Sequence, residues 1–234
     1  MSMLIEEAKK LGIEISEESC KKFEKYFNFL IDYNSRINLT AITKYEDVIV
    51  KHFIDSLALT KFVKIPEKSR IIDVGTGAGF PGVPIKILRP DIDLTLLDSL
   101  NKRIIFLNEL MKEIDEEAFV YHGRAEECGK SKKFRGRYNF VVSRAVANLR
   151  MLAEYCLPFV NVNGRFISLK GTGRGNEIKD AENAIKILGG EIEKIKKFEL
   201  PLQKGSRSII VIKKIKPTPH VYPRSNSQIS KKPI

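Results

Sequence analysis

After Pro66 the chain alternates between short runs of β-forming residues and stretches with helical spacing, and this order restricts the fold more than any other feature. The β-rich runs are Arg70–Val74, Asp93–Leu97, Ala118–Tyr121, Tyr138–Val142, Arg165–Leu169, Glu191–Lys197 and Ser208–Lys213. Helical periodicity fits Pro84–Leu88, Leu100–Glu113, Ala147–Val160 and Asn176–Leu188. Strands separated by helices predict a mostly parallel seven-stranded sheet covered on both faces, with an antiparallel strand near the end: a doubly wound α/β fold.

The region before Pro66 reads differently. Phe23, Tyr26, Phe27, Leu30 and Ile31, then Phe53 and Leu57, recur at helical spacing. Ser16 followed by Glu17 and Glu18 is a helix start, with acids at the positive end of the dipole. Asn34–Thr40, rich in cap and turn formers, is expected to break the helices. The expected organisation is a helical extension over 1–66, an α/β domain over 67–216 and a basic, proline-containing tail over 217–234.

Charge narrows the partner. Forty-one Lys and Arg against 29 Asp and Glu leave +12 on 234 residues, an excess that attracts polyanions. From Leu200 to the end there is no acid, while Arg207, Arg224 and six lysines supply positive charge; Lys130, Lys132, Lys133, Arg135 and Arg137 form a second cluster. Pro217, Pro219, Pro223 and Pro233 would hold the tail semi-extended, a shape that can follow a phosphate backbone. No stretch approaches the roughly 18 unbroken apolar residues of a membrane span. Cys20, Cys128 and Cys156 suit neither a disulfide scaffold nor a zinc site. A cytoplasmic monomer without metal or membrane contact is expected.

The sharpest local signal is Asp73-Val-Gly75-Thr-Gly77-Ala-Gly79-Phe-Pro-Gly82, where the first strand gives way to a helix. Glycines let a ligand approach bare backbone there, and the helix N-terminus offers N–H groups. Gly77-x-Gly79-x-x-Gly82 also satisfies the dinucleotide fingerprint, so the glycines alone do not name the ligand. Asp73 weighs against a pyrophosphate and favours a ligand carrying an ammonium and a sulfonium, as S-adenosylmethionine does. Asp98, 23 residues beyond Gly75, can accept the ribose hydroxyls of either ligand.

With Leu97-Asp-Ser-Leu-Asn-Lys-Arg103, Gly123-Arg-Ala-Glu126, Val142-Ser-Arg-Ala145 and Leu169-Lys-Gly171, this run closely resembles the small-subunit ribosomal RNA methyltransferase G family, also called glucose-inhibited division protein B. Ile37-Asn-Leu-Thr-Ala41 and His52-Phe-Ile-Asp-Ser56 extend the resemblance into the helical lead-in. It implies an S-adenosylmethionine-dependent fold that methylates N7 of a guanine in 16S ribosomal RNA, free or in the small subunit. By position it implies cofactor contacts at Gly75, Phe80, Ala125, Glu126 and Arg144, with Lys170 facing the reaction site. Tyr33 stands where family members often have Trp, and the tail Tyr222–Ser227 lacks a basic residue and a glycine that often follow there.

Guanine N7 has a free lone pair, so the chemistry asks for placement rather than a general base; placement alone lowers a barrier by up to about 7–11 kcal/mol in well-oriented intramolecular cases. Arg144 and Lys170, at the carboxyl ends of the fourth and fifth strands, are the expected positioning cations, and Lys170, Arg207 and Arg224 the expected RNA contacts. Phe80 would lay its ring near the cofactor or cap the sheet. His52, His122 and His220 read as structural or surface groups, and Cys128 and Cys156 as structural. Phe134, Tyr138 and Tyr222 could stack on an extruded base or fill core. Two rivals stay open: a nicotinamide-dependent oxidoreductase, from the glycine coincidence, and a non-catalytic RNA-binding assembly factor.

Overall fold

The computed structural model describes residues 1–144, 147–171 and 176–234. Ala145, the last residue of the Val142–Ala145 motif, lies outside them. The chain opens with α1 (Ser2–Lys10) and α2 (Glu17–Ile37), whose N-cap Ser16 accepts a hydrogen bond from the Ser19 N–H. Helix α2 runs through Asn34–Ile37, the first four residues of the expected break. Tyr33 is buried among Phe29 and Phe106, and that packing outweighs the weak helix preference of Asn34 and Ser35. Asn38, left-handed at φ 49°, ends the helix. A second helical stretch follows as α3 (Tyr45–Val48), a π-helical turn (Ile49–Ile54) and α4 (Asp55–Phe62).

The sheet is built from β1 (Arg70–Val74), β2 (Asp93–Asp98), β3 (Phe119–His122), β4 (Tyr138–Arg144), β5 (Val160–Gly171), β6 (Gly190–Glu199) and β7 (Ser206–Lys214), in the order β3-β2-β1-β4-β5-β7-β6. Only β7 runs antiparallel to its neighbours β5 and β6. The connecting helices are α5 (Gly82–Leu88), α6 (Asn101–Glu113), α7 (Ala125–Cys128), α8 (Leu149–Cys156) and α9 (Glu177–Ile187), and α10 (Asn226–Lys231) lies in the C-terminal segment. The expected α/β architecture is present, with each strand found within five residues of its predicted start. The expected Ala147–Val160 helix stops at Cys156 and passes into a 3-10 turn, because Pro158 cannot donate to the helical ladder.

One face of the sheet packs with the N-terminal helices: Leu4, Phe23, Tyr26, Phe53 and Leu57 share a hydrophobic cluster with Ile71, Leu96, Phe140 and Ile167. The other face packs with α8 and α9, and Tyr222 and Ile234 of the C-terminal segment lie against that cluster. The tail therefore folds back rather than extending. Arg135 donates to the carbonyls of Thr218, Pro219 and Tyr222, and Arg224 pairs with buried Glu154 at 2.7 Å. Phe134 and Tyr138 are core residues, 2% and 7% exposed, so neither is available to stack on a base. No described helix is long and apolar enough to cross a membrane.

Candidate active site

Sheet topology brings the site together. In parallel strands the carboxyl ends share one edge, so the glycine turn after β1, Asp98 ending β2 and Arg144 ending β4 meet there. Because β7 is antiparallel, its first residues reach the same edge: Lys170 pairs with Ser208 and Gly171 with Arg207. Two cavities open along this edge and meet at Gly75, which lines both.

The first cavity, about 280 Å³, is bounded by Val74, Gly75, Leu97, Asp98, Gly123, Ala125, Glu126, Leu152, Tyr155 and Asn226. Apolar side chains of the strand ends make its floor and Asp98 its acidic edge. Asp98 is only 2% exposed. Its Oδ2 accepts from the Gly77 N–H at 2.9 Å and pairs with Arg103 at 3.1 Å, and its Oδ1 accepts from the Leu100 N–H. Ala125 and Glu126 stand in the first turn of α7.

The second cavity, about 340 Å³, carries most of the charge. Arg144 and Arg207 approach Asp55 from two sides, each at 3.3 Å. Arg144 also donates to the carbonyls of Lys51 and His52 and lies 4.8 Å over the Phe80 ring. His52 stacks on that ring at 4.4 Å, with Nδ1 3.0 Å from Arg144 and Nε2 3.0 Å from the Thr40 hydroxyl. Burial, and then the neighbouring Arg144 charge, hold the His52 pKa down at about 3, so the ring is neutral. A neutral ring can accept from Arg144 at Nδ1 only if Nε2 keeps its proton, which fixes that proton on the side of Thr40. Lys170 lines the cavity too, but its ammonium is hydrogen-bonded to the Ala147 carbonyl and paired with Glu177.

The turn between the cavities is held from below. Asp73 is fully buried and lines neither cavity; its Oδ2 accepts from the Gly82 N–H and the Thr76 hydroxyl, both at 2.8 Å. Burial pushes its carboxyl up to about 7, against the pull of those two donors and of Arg144. The sequence argument set this acid beside the ligand; it lies under the loop, where its two accepted hydrogen bonds shape the turn. Gly79, at φ +100°, has no room for a side chain: a Cβ would lie 2.8 Å from the Tyr26 hydroxyl and from Val83. That hydroxyl donates to the Ala78 carbonyl at 2.5 Å, which fastens α2 to the turn. Gly77, at φ +63°, faces open space, so the backbone there is bare to an incoming ligand.

Of the expected residues, Gly75, Asp98, Ala125 and Glu126 meet at the first cavity and Gly75, Gly77, Phe80, Arg144, Lys170 and Arg207 at the second. Phe80 is 5% exposed and stacked on Tyr26 as well as His52, so most of its ring is spent on packing. Arg224 is at neither cavity wall; its guanidinium belongs to Glu154. Sequence reasoning passed over Thr40, His52 and Asp55 as site residues. The irregularity that presents His52 and, just beyond its end, Asp55 is the π-helical turn Ile49–Ile54, a feature that often marks functional sites and that apolar periodicity does not reveal. Among the described residues no cluster of His, Cys, Asp or Glu is placed to hold a metal ion.

Comparison with known proteins agrees with this geometry. Residues 19–210 match the GidB family model, described as rRNA small subunit methyltransferase G. The ribosomal RNA small subunit methyltransferase G of Desulforamulus reducens is 50% identical over 228 residues, covering 97% of this chain and 95% of that protein. The protein of the same name from Alkaliphilus oremlandii is 50% identical over 234 residues, covering 99% and 98%. Among solved structures, TrmN from Thermus thermophilus superposes with a TM-score of 0.54 at 15% identity, over 71% of this chain and 53% of that one. The citrinin polyketide synthase CMeT domain superposes at 0.53 with 13% identity, over 69% and 52%. With four-fifths of the chain inside one family model and half its residues shared with full-length members, the chain belongs to the rRNA small subunit methyltransferase G family and is an rRNA methyltransferase.

Proposed function

We propose that the joined cavities hold S-adenosylmethionine, with the nucleoside in the first and the methionine end turned past Gly75 toward the second, and that the second receives guanine N7 of 16S ribosomal RNA. The observation that carries this reading is the pair of cavities meeting at a bare glycine, one apolar with a buried acid at its edge and the other lined by arginines. Asp98 has the position for ribose hydroxyls, and the open face of Gly77 leaves room for a ligand against backbone. When bound, S-adenosylmethionine supplies an electrophilic methyl group.

The chain's own residues then have three tasks. Arg144 and Arg207 present cationic donors to phosphate or to the guanine edge, and their charge is partly balanced by Asp55. His52 and Phe80 hold the Arg144 guanidinium in one plane, so its donors are aimed before RNA arrives. No group need remove a proton from N7, and neutral His52 is a hydrogen-bond partner rather than a base. A net charge of +12 draws the RNA in the cytoplasm, with affinity that falls steeply as salt rises. Membership of this family removes the oxidoreductase and the non-catalytic assembly factor as readings of the whole protein.

The test is methyl transfer from labelled S-adenosylmethionine to small subunits and to naked 16S ribosomal RNA, both from cells lacking this gene. Label in 7-methylguanosine of the RNA digest is expected; label at another atom, or none with either substrate, sinks the reading. Arg144→Ala should slow transfer by about a hundredfold.

A further inference from the structure

We propose that the C-terminal segment 217–234 closes the nucleoside half of the cofactor site, and that Asn226, oriented by Tyr155, reads the adenine edge. This rests on the first cavity being the nucleoside pocket. Asn226 and Tyr155 both line that cavity, 71 residues apart in sequence, and the Tyr155 hydroxyl donates to the Asn226 Oδ1 at 2.6 Å. With its oxygen engaged, the carboxamide keeps its Nδ2 hydrogens for a ligand. An amide N–H beside an aromatic hydroxyl suits adenine, which offers ring-nitrogen acceptors next to an exocyclic amino donor.

The way the segment is fastened supports this role over RNA docking. Its Arg224 side chain and several of its carbonyls are turned toward the protein, while Lys231 and Lys232 are exposed. Glu154, the neighbour of Tyr155 on α8, takes both the guanidinium and the main-chain N–H of Arg224, two residues before Asn226. Arg135, from the basic cluster, reaches three tail carbonyls at 2.7–3.1 Å. Arg150 donates to the carbonyls of Pro233 and Ile234, and Ile229 of α10 is fully buried. Buried Lys214 meets the Thr218 hydroxyl at the point where the segment leaves β7. These contacts fasten α10 beside the cavity, where Asn226, itself exposed, stands on the wall with its carboxamide held by Tyr155.

The experiment uses the full chain, its Asn226→Ala and Tyr155→Phe variants, and a version ending at Ser225. Calorimetry measures affinity for S-adenosylhomocysteine and for the counterpart with a 6-oxo group in place of the adenine amino group; a gel assay at fixed salt measures affinity for a 16S ribosomal RNA fragment. The unaltered chain should prefer the adenine compound. Asn226→Ala should weaken that compound about tenfold and erase most of the preference, Tyr155→Phe should do the same to a smaller degree, and RNA affinity should stay unchanged. Full affinity and full preference in Asn226→Ala overturn the proposal. So does a shortened chain that keeps cofactor affinity and loses RNA affinity. If the unaltered chain binds neither compound, the cofactor reading itself fails and takes this proposal with it.

Discussion

The two ends of the chain reach the same site by different physical means. The N-terminal helices arrive through an aromatic core: Phe23, Tyr26 and Phe53 are wholly buried, and Phe53 lies 5.0 Å from Phe23 and 6.0 Å from Phe80. The C-terminal segment arrives mostly through charged and polar bonds, with Thr218, Pro223 and Ile229 its buried residues. An end held by apolar burial should unfold only with the domain, and an end held by individual hydrogen bonds should open on its own. The first end carries His52 and Asp55 beside Arg144, where small displacements matter. The second places Asn226 on the wall of the first cavity, where the proposed cover would have to open for a ligand to enter and leave.

The largest expected effect breaks the first end. Phe53→Ala removes a fully buried ring from a site with little room to collapse and should cost about 3–5 kcal/mol in urea unfolding. Because Phe53 touches Phe80, methyl transfer should fall at temperatures where the variant is still folded. A variant that loses stability but keeps full activity would show that the N-terminal layer supports the fold without shaping the site. Gly79→Ala comes next: the added Cβ would meet Tyr26 and Val83 at 2.8 Å on a left-handed backbone, a cost of about 2–4 kcal/mol. Gly77→Ala, with open space around it, should cost only about 1 kcal/mol in stability yet weaken cofactor binding more than tenfold. Equal stability losses in the two alanine variants would contradict the assignment of Gly79 to packing and Gly77 to the ligand.

How far the sequence shows all this depends on which interactions are local. Strand β1 was legible to the residue, since Arg70–Val74 is a β-branched run ended by glycine. The cavity groups at strand ends, Gly75, Asp98 and Arg144, were legible because a parallel sheet always delivers them to one edge. Asp73 was seen but not its surroundings: its type signals a buried acid, and the rotamer that sets its Oδ2 against Gly82 depends on the turn in three dimensions. His52 and Asp55 were hidden because their role depends on a π-helical turn and on Arg144, some 90 residues away. The tail was misjudged for a related reason. A proline-containing basic stretch has the same composition whether its cations face phosphate or, as with Arg224, a buried glutamate.

A pH experiment sharpens the contrast at intermediate size. His52 is held neutral in the fold, with a pKa near 3 against about 6.5 when unfolded. The unfolded chain therefore binds the extra proton, and stability falls as pH drops below about 6.5. At pH 5 the loss from this one ring is about 2 kcal/mol. His52→Gln should have a flatter stability profile between pH 7 and 5 than the unaltered protein. Parallel profiles would mean that the ring finds a proton acceptor in the folded state. Chemical shifts of the tail should not follow this titration, since His52 is not among the residues that fasten it.

The smallest expected effect tests the second end. Helix α10 has six residues, too short to persist without support, and its N-terminus is held by a capping box in which Ser225 and Gln228 satisfy each other's main-chain N–H groups. Ser225→Ala should weaken that helix by about 1 kcal/mol. If the C-terminal segment is a locally opening cover, the whole loss appears as faster amide exchange across 226–231, and the global unfolding midpoint does not move. The off-rate of S-adenosylhomocysteine should rise severalfold, because α10 is open for a larger fraction of the time. A shift in the global midpoint instead would mean that the segment unfolds only with the domain, and the two ends of the chain would then differ in chemistry but not in dynamics.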